Sequence, residues 1–141
     1  MNELKTRDYS IPSVPSQNCI CEGQEISKSE AINRLLEPVC SSLASGLIVL
    51  SKEDVEEDLR DVKCIHFNSY LNMSPEEFMK IKIDSTGFKG AILKIYSPSK
   101  EDLTMGQYGY IASQLKSLKI RRGIYEDVRS AGLNLEVYLY K

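Results

Sequence analysis

Apolar residues recur at spacings of three and four through Ile32, Leu35, Leu36, Val39, Cys40 and Leu43. That is the repeat of one buried helix face. Ser27 and Glu30 stand ahead of it at capping-box spacing, so a helix is expected to open there. Pro38 lies inside the pattern and predicts a kink or an early end, because it removes one backbone bond. Gly46 is the expected stop. Leu47 to Leu50 is wholly apolar and reads as a buried strand or the floor of a loop. Ser51 then opens a second helix with Val55, Leu59 and Val62 on its buried edge. Its first turns are acidic, which suits the positive end of a helix dipole.

From Cys64 the period changes to two. Ile65, Phe67 and Leu71 alternate with His66, Asn68 and Tyr70, as in a strand. Ser74-Pro75 starts a short helix anchored by Phe78 and Ile81, with proline at its first position. Phe88 to Tyr96 is the next strand, and apolar residues on both of its faces predict cover on both sides. Tyr108, Ile111, Ala112, Leu115 and Leu118 make a fourth helical stripe. Gly106 and Gly109 weaken that helix by roughly 1 kcal/mol each, which suggests close backbone packing. Ile120 to Val128 and Leu133 to Tyr140 read as a closing antiparallel hairpin around Arg129 to Gly132. In the last strand Leu133, Leu135, Val137 and Leu139 are expected inward, and Asn134, Glu136, Tyr138 and Tyr140 outward. Those two outward tyrosines are candidates for an interface.

The expected fold is therefore α/β, a mixed sheet covered by helices in the order α-β-α-β-α-β-α-β-β. Residues 1–26 carry Pro12, Pro15 and several serines with no period, and read as a flexible tail, either linker or docking peptide. Residues 27–141 make one domain, in keeping with a chain of 141 residues.

Composition narrows the function. Eighteen basic and 20 acidic residues give a formal charge of -2, so no strong positive field draws in nucleic acid or anionic membrane. No apolar run is long enough to span a membrane, and MNELKTRDYS lacks the pattern of a secretion signal; a cytoplasmic protein is expected. The one histidine, His66, would have to serve any hydrolase triad or zinc site. The four cysteines form no C-x-x-C pair and read as reduced thiols, with Cys40 and Cys64 as core fillers. No metal and no cofactor are expected, and the balance points to a binding or assembly protein rather than an enzyme.

From Ser27 onward the order of elements resembles the C-terminal half of FtsZ and the tubulin-like cytoskeletal GTPases. Ala31 to Leu43 resembles that family's central helix, and Gly46-Leu-Ile-Val the approach to its loop. Ser51 to Leu59 resembles the loop and the helix after it. Phe88-Lys-Gly-Ala-Ile-Leu-Lys-Ile is similar to the family's "GVLxNI" strand, and Asp102-Leu103-Thr-Met to the segment that follows. Ile120 to Gly123 and Leu133 to Leu139 resemble its final pair of strands. The nucleotide-binding half, with its Gly-rich phosphate loop, has no counterpart here. The family's Asn-x-Asp arrangement is replaced by Val49-Leu-Ser51-Lys-Glu53-Asp54.

The resemblance implies a non-catalytic, FtsZ-like interaction protein of the cell-division machinery. Such a protein would cap, modulate or co-assemble with a filament, or self-associate into an oligomer. Glu53, Asp54, Glu57 and Asp58 would then form the partner-interface loop, since charge at an interface sets partner choice. The alternative is a small-molecule (anion) binding or enzymatic α/β domain with an inter-subunit site, built from His66, Arg121, Arg122 and Tyr125. Arginines beside a tyrosine suit a carboxylate or phosphate. The position of residues 46–58 separates the two: an exposed loop and helix favours the first reading, burial in mid-sheet opposes it.

Overall fold

A computed structural model of the chain describes residues 19–37, 45–99, 102–127 and 130–141. Six strands and four helices alternate through them: β1 (Cys19–Ile26), α1 (Lys28–Leu36), β2 (Ser45–Ile48), α2 (Lys52–Leu59), β3 (Ile65–Met73), α3 (Pro75–Phe78), β4 (Gly90–Ser97), α4 (Met105–Ser113), β5 (Lys119–Glu126) and β6 (Leu133–Tyr140). The class is α/β with a mixed sheet, as the hydrophobic pattern requires. From Ser27 on, the elements also follow the expected order.

Local chemistry fixes the helix starts. The Ser27, Ser51, Ser74 and Thr104 hydroxyls each accept from the backbone N–H three residues on. Around α3 and α4 the box is reciprocal, with Glu77 and Gln107 accepting from the Ser74 and Thr104 N–H groups. At α1 it is half formed, because Glu30 instead pairs with Arg34 one turn on. The α1 helix ends at Leu36. Glu37 turns to an extended ψ of 131°, the conformation forced on a residue before proline. The expected continuation through Val39 to Leu43 falls outside the described residues, as does Cys40.

The sheet order is β1-β3-β6-β4-β5-β2. Strands β3, β4 and β5 run one way and β1, β6 and β2 the other. This corrects the closing hairpin. β5 pairs with β4 in parallel across the α4 crossover, and β6 inserts between β3 and β4, antiparallel to both. As an apolar strand on both faces, β6 gains more from a central place than from an edge.

Two cores follow. On one face α3 and α4 cover Ala91, Leu93, Ile95, Leu135, Val137 and Leu139. On the other, α1 and α2 cover Ile65, Phe67, Ile92, Tyr138 and Tyr140. Tyr138 and Tyr140 are thus core residues and not an outward interface. Tyr140 lies over Gly90, whose missing side chain makes room for the ring. On the same face Lys94 is buried and donates to the Arg34 and Glu37 carbonyls, each at 2.8 Å, so it caps the end of α1. Glu136 accepts from Tyr138 at 2.6 Å and Tyr96 at 3.2 Å.

Three further expectations change. Residues 19–26 are not tail: they form β1, paired with β3 through a bulge at Glu22 and Gly23. The strand left no apolar alternation because it is an edge with little burial, broken by a glycine at φ +72°. Leu47 to Leu50 is not a buried strand; its first half belongs to edge strand β2, and Val49 is 66% exposed. Gly106 and Gly109 face no close backbone, so tight packing does not explain them.

Candidate functional site

The segment from β2 into α2 forms a corner at one end of the sheet. β2 pairs with β5 on one side only, and among the described residues no strand pairs with its outer edge. An open edge of this kind offers unpaired backbone groups to another chain. At its end Ile48 and Val49 stand exposed, and Leu50 turns back into the core. The turn is pinned by the Leu50 N–H donating to the Tyr125 hydroxyl at 2.9 Å.

Beside Ile48 a cavity of about 290 Å³ opens against the start of α4, lined by Leu103, Met105, Tyr108, Arg122 and Ile124. Met105 at its rim is 90% exposed. Arg122 lies over the Tyr108 ring at 5.2 Å. The corner therefore joins an open strand, an apolar patch and the acidic surface of α2.

The four acidic residues proposed for the interface divide into two pairs. Glu53 and Glu57 are exposed on α2. Asp58 points inward: its side chain is 1% exposed and meets Arg121 of β5 in a two-pronged pair, with Lys119 Nζ 3.3 Å from Oδ1. Asp54 is half-buried and reaches the same guanidinium at 3.2 Å. Burial alone would raise the Asp58 carboxyl. The hydrogen bond and charge of Arg121, joined by Lys119, outweigh it and hold the group below the ordinary aspartate value. Asp58 thus locks α2 to the sheet and is unavailable to a partner; Glu56, exposed beside Glu57, is the residue sequence reasoning left out.

The other proposed set, His66, Arg121, Arg122 and Tyr125, does not assemble as a whole: Arg122 and Tyr125 both line the cavity beside Ile48, and the other two stand apart from it. Arg121 and Arg122 point to opposite faces of β5, and Arg121 is already bound to Asp58. The Tyr125 hydroxyl accepts from the Leu50 N–H. His66 sits on β3, with β6 and β4 between it and β5. Alternation along β5 separates the neighbouring arginines.

Cys19, Cys21 and Cys64 are free thiols, and Cys64 is only half-buried. Among the described residues no group of three or more His, Cys, Asp or Glu is placed to hold a metal ion, and no helix is long and apolar enough to cross a membrane. No protein-family model matches the chain, and no curated protein matches it.

Proposed function

We propose that this chain is a non-catalytic, FtsZ-like interaction protein of the cytoplasm that engages a filament subunit, or a second copy of itself, through the β2–α2 corner. One observation carries the reading: residues 48–57 put exposed apolar side chains, an open strand edge and an acidic helix surface in one continuous run. Interfaces combine these parts, with apolar anchors for affinity and charge for register and association rate. The resemblance to the FtsZ C-terminal half assigns the same segment to subunit contact. α1 stays packed on the sheet through Ala31 and Leu35, as a central helix leading into such a domain would. A module that presents one half of a head-to-tail contact would block growth at the end it joins.

Sedimentation of FtsZ polymer with GTP tests this. Stoichiometric protein is expected to change the pelleted mass. The Glu53→Lys, Glu57→Lys double variant is expected to abolish the change with its melting temperature kept, since exposed charges contribute little to stability. Unchanged polymer, together with a strictly monomeric protein by light scattering, would refute the reading.

A further inference from the structure

At the opposite end of the sheet, β3 lends its α3–α4 face to a second cavity, of about 500 Å³. His66, Asn68 and Tyr70, alternate residues of β3, form its wall. The β1 bulge at Glu22 and Gly23 closes one side, and Lys82, Phe88 and Lys141 close the other.

Asn68 is the informative group. It is 7% exposed, and its Oδ1 accepts from the Gly23 N–H at 2.6 Å. That bond fixes which side of the amide is oxygen. Asn68 lines the cavity, and its Nδ2 donates to no described residue. A buried donor left without an acceptor costs free energy, so such groups are retained where something supplies one.

The lining carries two carboxylates and two lysines, and they differ in how they are partnered. Both carboxylates of the cavity already hold donors: Glu22 accepts from the Tyr70 hydroxyl at 2.8 Å, and Asp84 from the Thr86 N–H at 3.0 Å. The cations do not: neither Lys82 nor Lys141 pairs with a carboxylate among the described residues. Lys141 Nζ rests 5.1 Å from the centre of the Phe88 ring, and the His66 ring meets the same phenyl edge-on at 5.1 Å. A free amide donor, ammonium groups and aromatic rings lining one cavity suit an oxyanion attached to a small organic body.

We propose that this cavity binds a small organic anion, a carboxylate or phosphate ester, with its oxyanion on Asn68 Nδ2 and His66 and its charge balanced by Lys82 and Lys141. The site stands apart from the β2–α2 corner, and its test does not depend on assembly.

His66 is the one histidine, so its Cε1–H gives one resonance in the spectrum of the full chain. That resonance is followed against benzoate, phenyl phosphate and inorganic phosphate, with chloride added to equal ionic strength. A saturable shift absent with chloride is expected. Saturation by benzoate or by phenyl phosphate identifies the headgroup; saturation by inorganic phosphate alone removes the organic body and overturns the proposal. Asn68→Asp keeps an oxygen for the Gly23 N–H and replaces the free donor with charge, so affinity should fall about tenfold or more. Lys82→Ala with Lys141→Ala, on exposed side chains, should weaken binding about threefold and flatten its salt dependence. Linear shifts matched by chloride refute the site. So does unchanged affinity in either variant, the lysine pair deciding alone if Asn68→Asp does not fold.

Discussion

Asp58→Asn keeps the volume of the side chain that locks α2 to β5 and removes only its charge. The carboxylate it replaces is 1% exposed, bound by Arg121 through Nε and through Nη2 at 3.2 Å, with Lys119 at 3.3 Å. Opposite charges about 4 Å apart attract by about 4 kcal/mol at the effective dielectric of a protein surface. Part of that is already spent on dehydrating the carboxylate, and the Arg121 side chain is 30% exposed, so water relieves some of its loss. Removing one partner of a buried pair costs about 3–5 kcal/mol, and this half-open geometry belongs at the lower end, about 3 kcal/mol. Urea unfolding followed by circular dichroism at pH 7 should show the midpoint falling with the slope unchanged. A cycle with Arg121→Met should return a coupling of about 2 kcal/mol. The pH dependence carries a sign. The carboxyl is held below its ordinary value, so its contribution is whole above about pH 4 and is lost as pH falls through the folded value. The gap between wild type and variant should therefore narrow in acid. A cost below about 1 kcal/mol at neutral pH, or no coupling to Arg121, would refute the argument.

Gly90→Ala should cost about 1–3 kcal/mol in the same unfolding assay, because a Cβ there would collide with the Tyr140 ring in a filled core; Gly90→Ala,Tyr140→Leu should recover part of that loss. Burial raises the phenols of Tyr70, Tyr96, Tyr138 and Tyr140, with Glu22 adding at Tyr70 and Glu136 at Tyr96 and Tyr138. Their contribution is whole below about pH 10, the unfolded value, and is lost as pH rises further. Absorbance titration at the phenolate band should therefore show these four of the eight tyrosines ionising late, and together with unfolding; early ionisation of all eight would contradict the burial.

Much of the fold was legible because it is local. Ser27, Ser51 and Ser74 announce their helices through bonds that span three residues. Pro38 foretold the early end of α1. What failed was long-range. The period of two marked β5 and β6 as strands, but nothing in it tells whether neighbours in sequence pair or part, and they commonly pair. Tyr138 and Tyr140 alternate with leucines and read as a wet face; only the placing of α1 and α2 covers them. β1 was hidden because an exposed edge needs no apolar face. At the corner, the exposed Glu53 and Glu57 were legible as surface charge. Asp58 was not separable from them, since Arg121 lies 63 residues away. Asn68 gave no signal at all: its significance depends on a bulge glycine 45 residues earlier in the chain.

The placement of β6 bears on how the protein is made. The β1–β3 and β4–β5–β2 groups adjoin only through it, and it is the last of the six strands to leave the ribosome. Until then a nascent chain carries two partial sheets whose inner edges, the future centre, are bare and apolar. Such edges favour chaperone capture or clumping during synthesis. Stalled chains ending just before Leu133 should be protease-sensitive, and those with Tyr140 clear of the exit tunnel resistant. Resistance in both would mean that the halves fold alone.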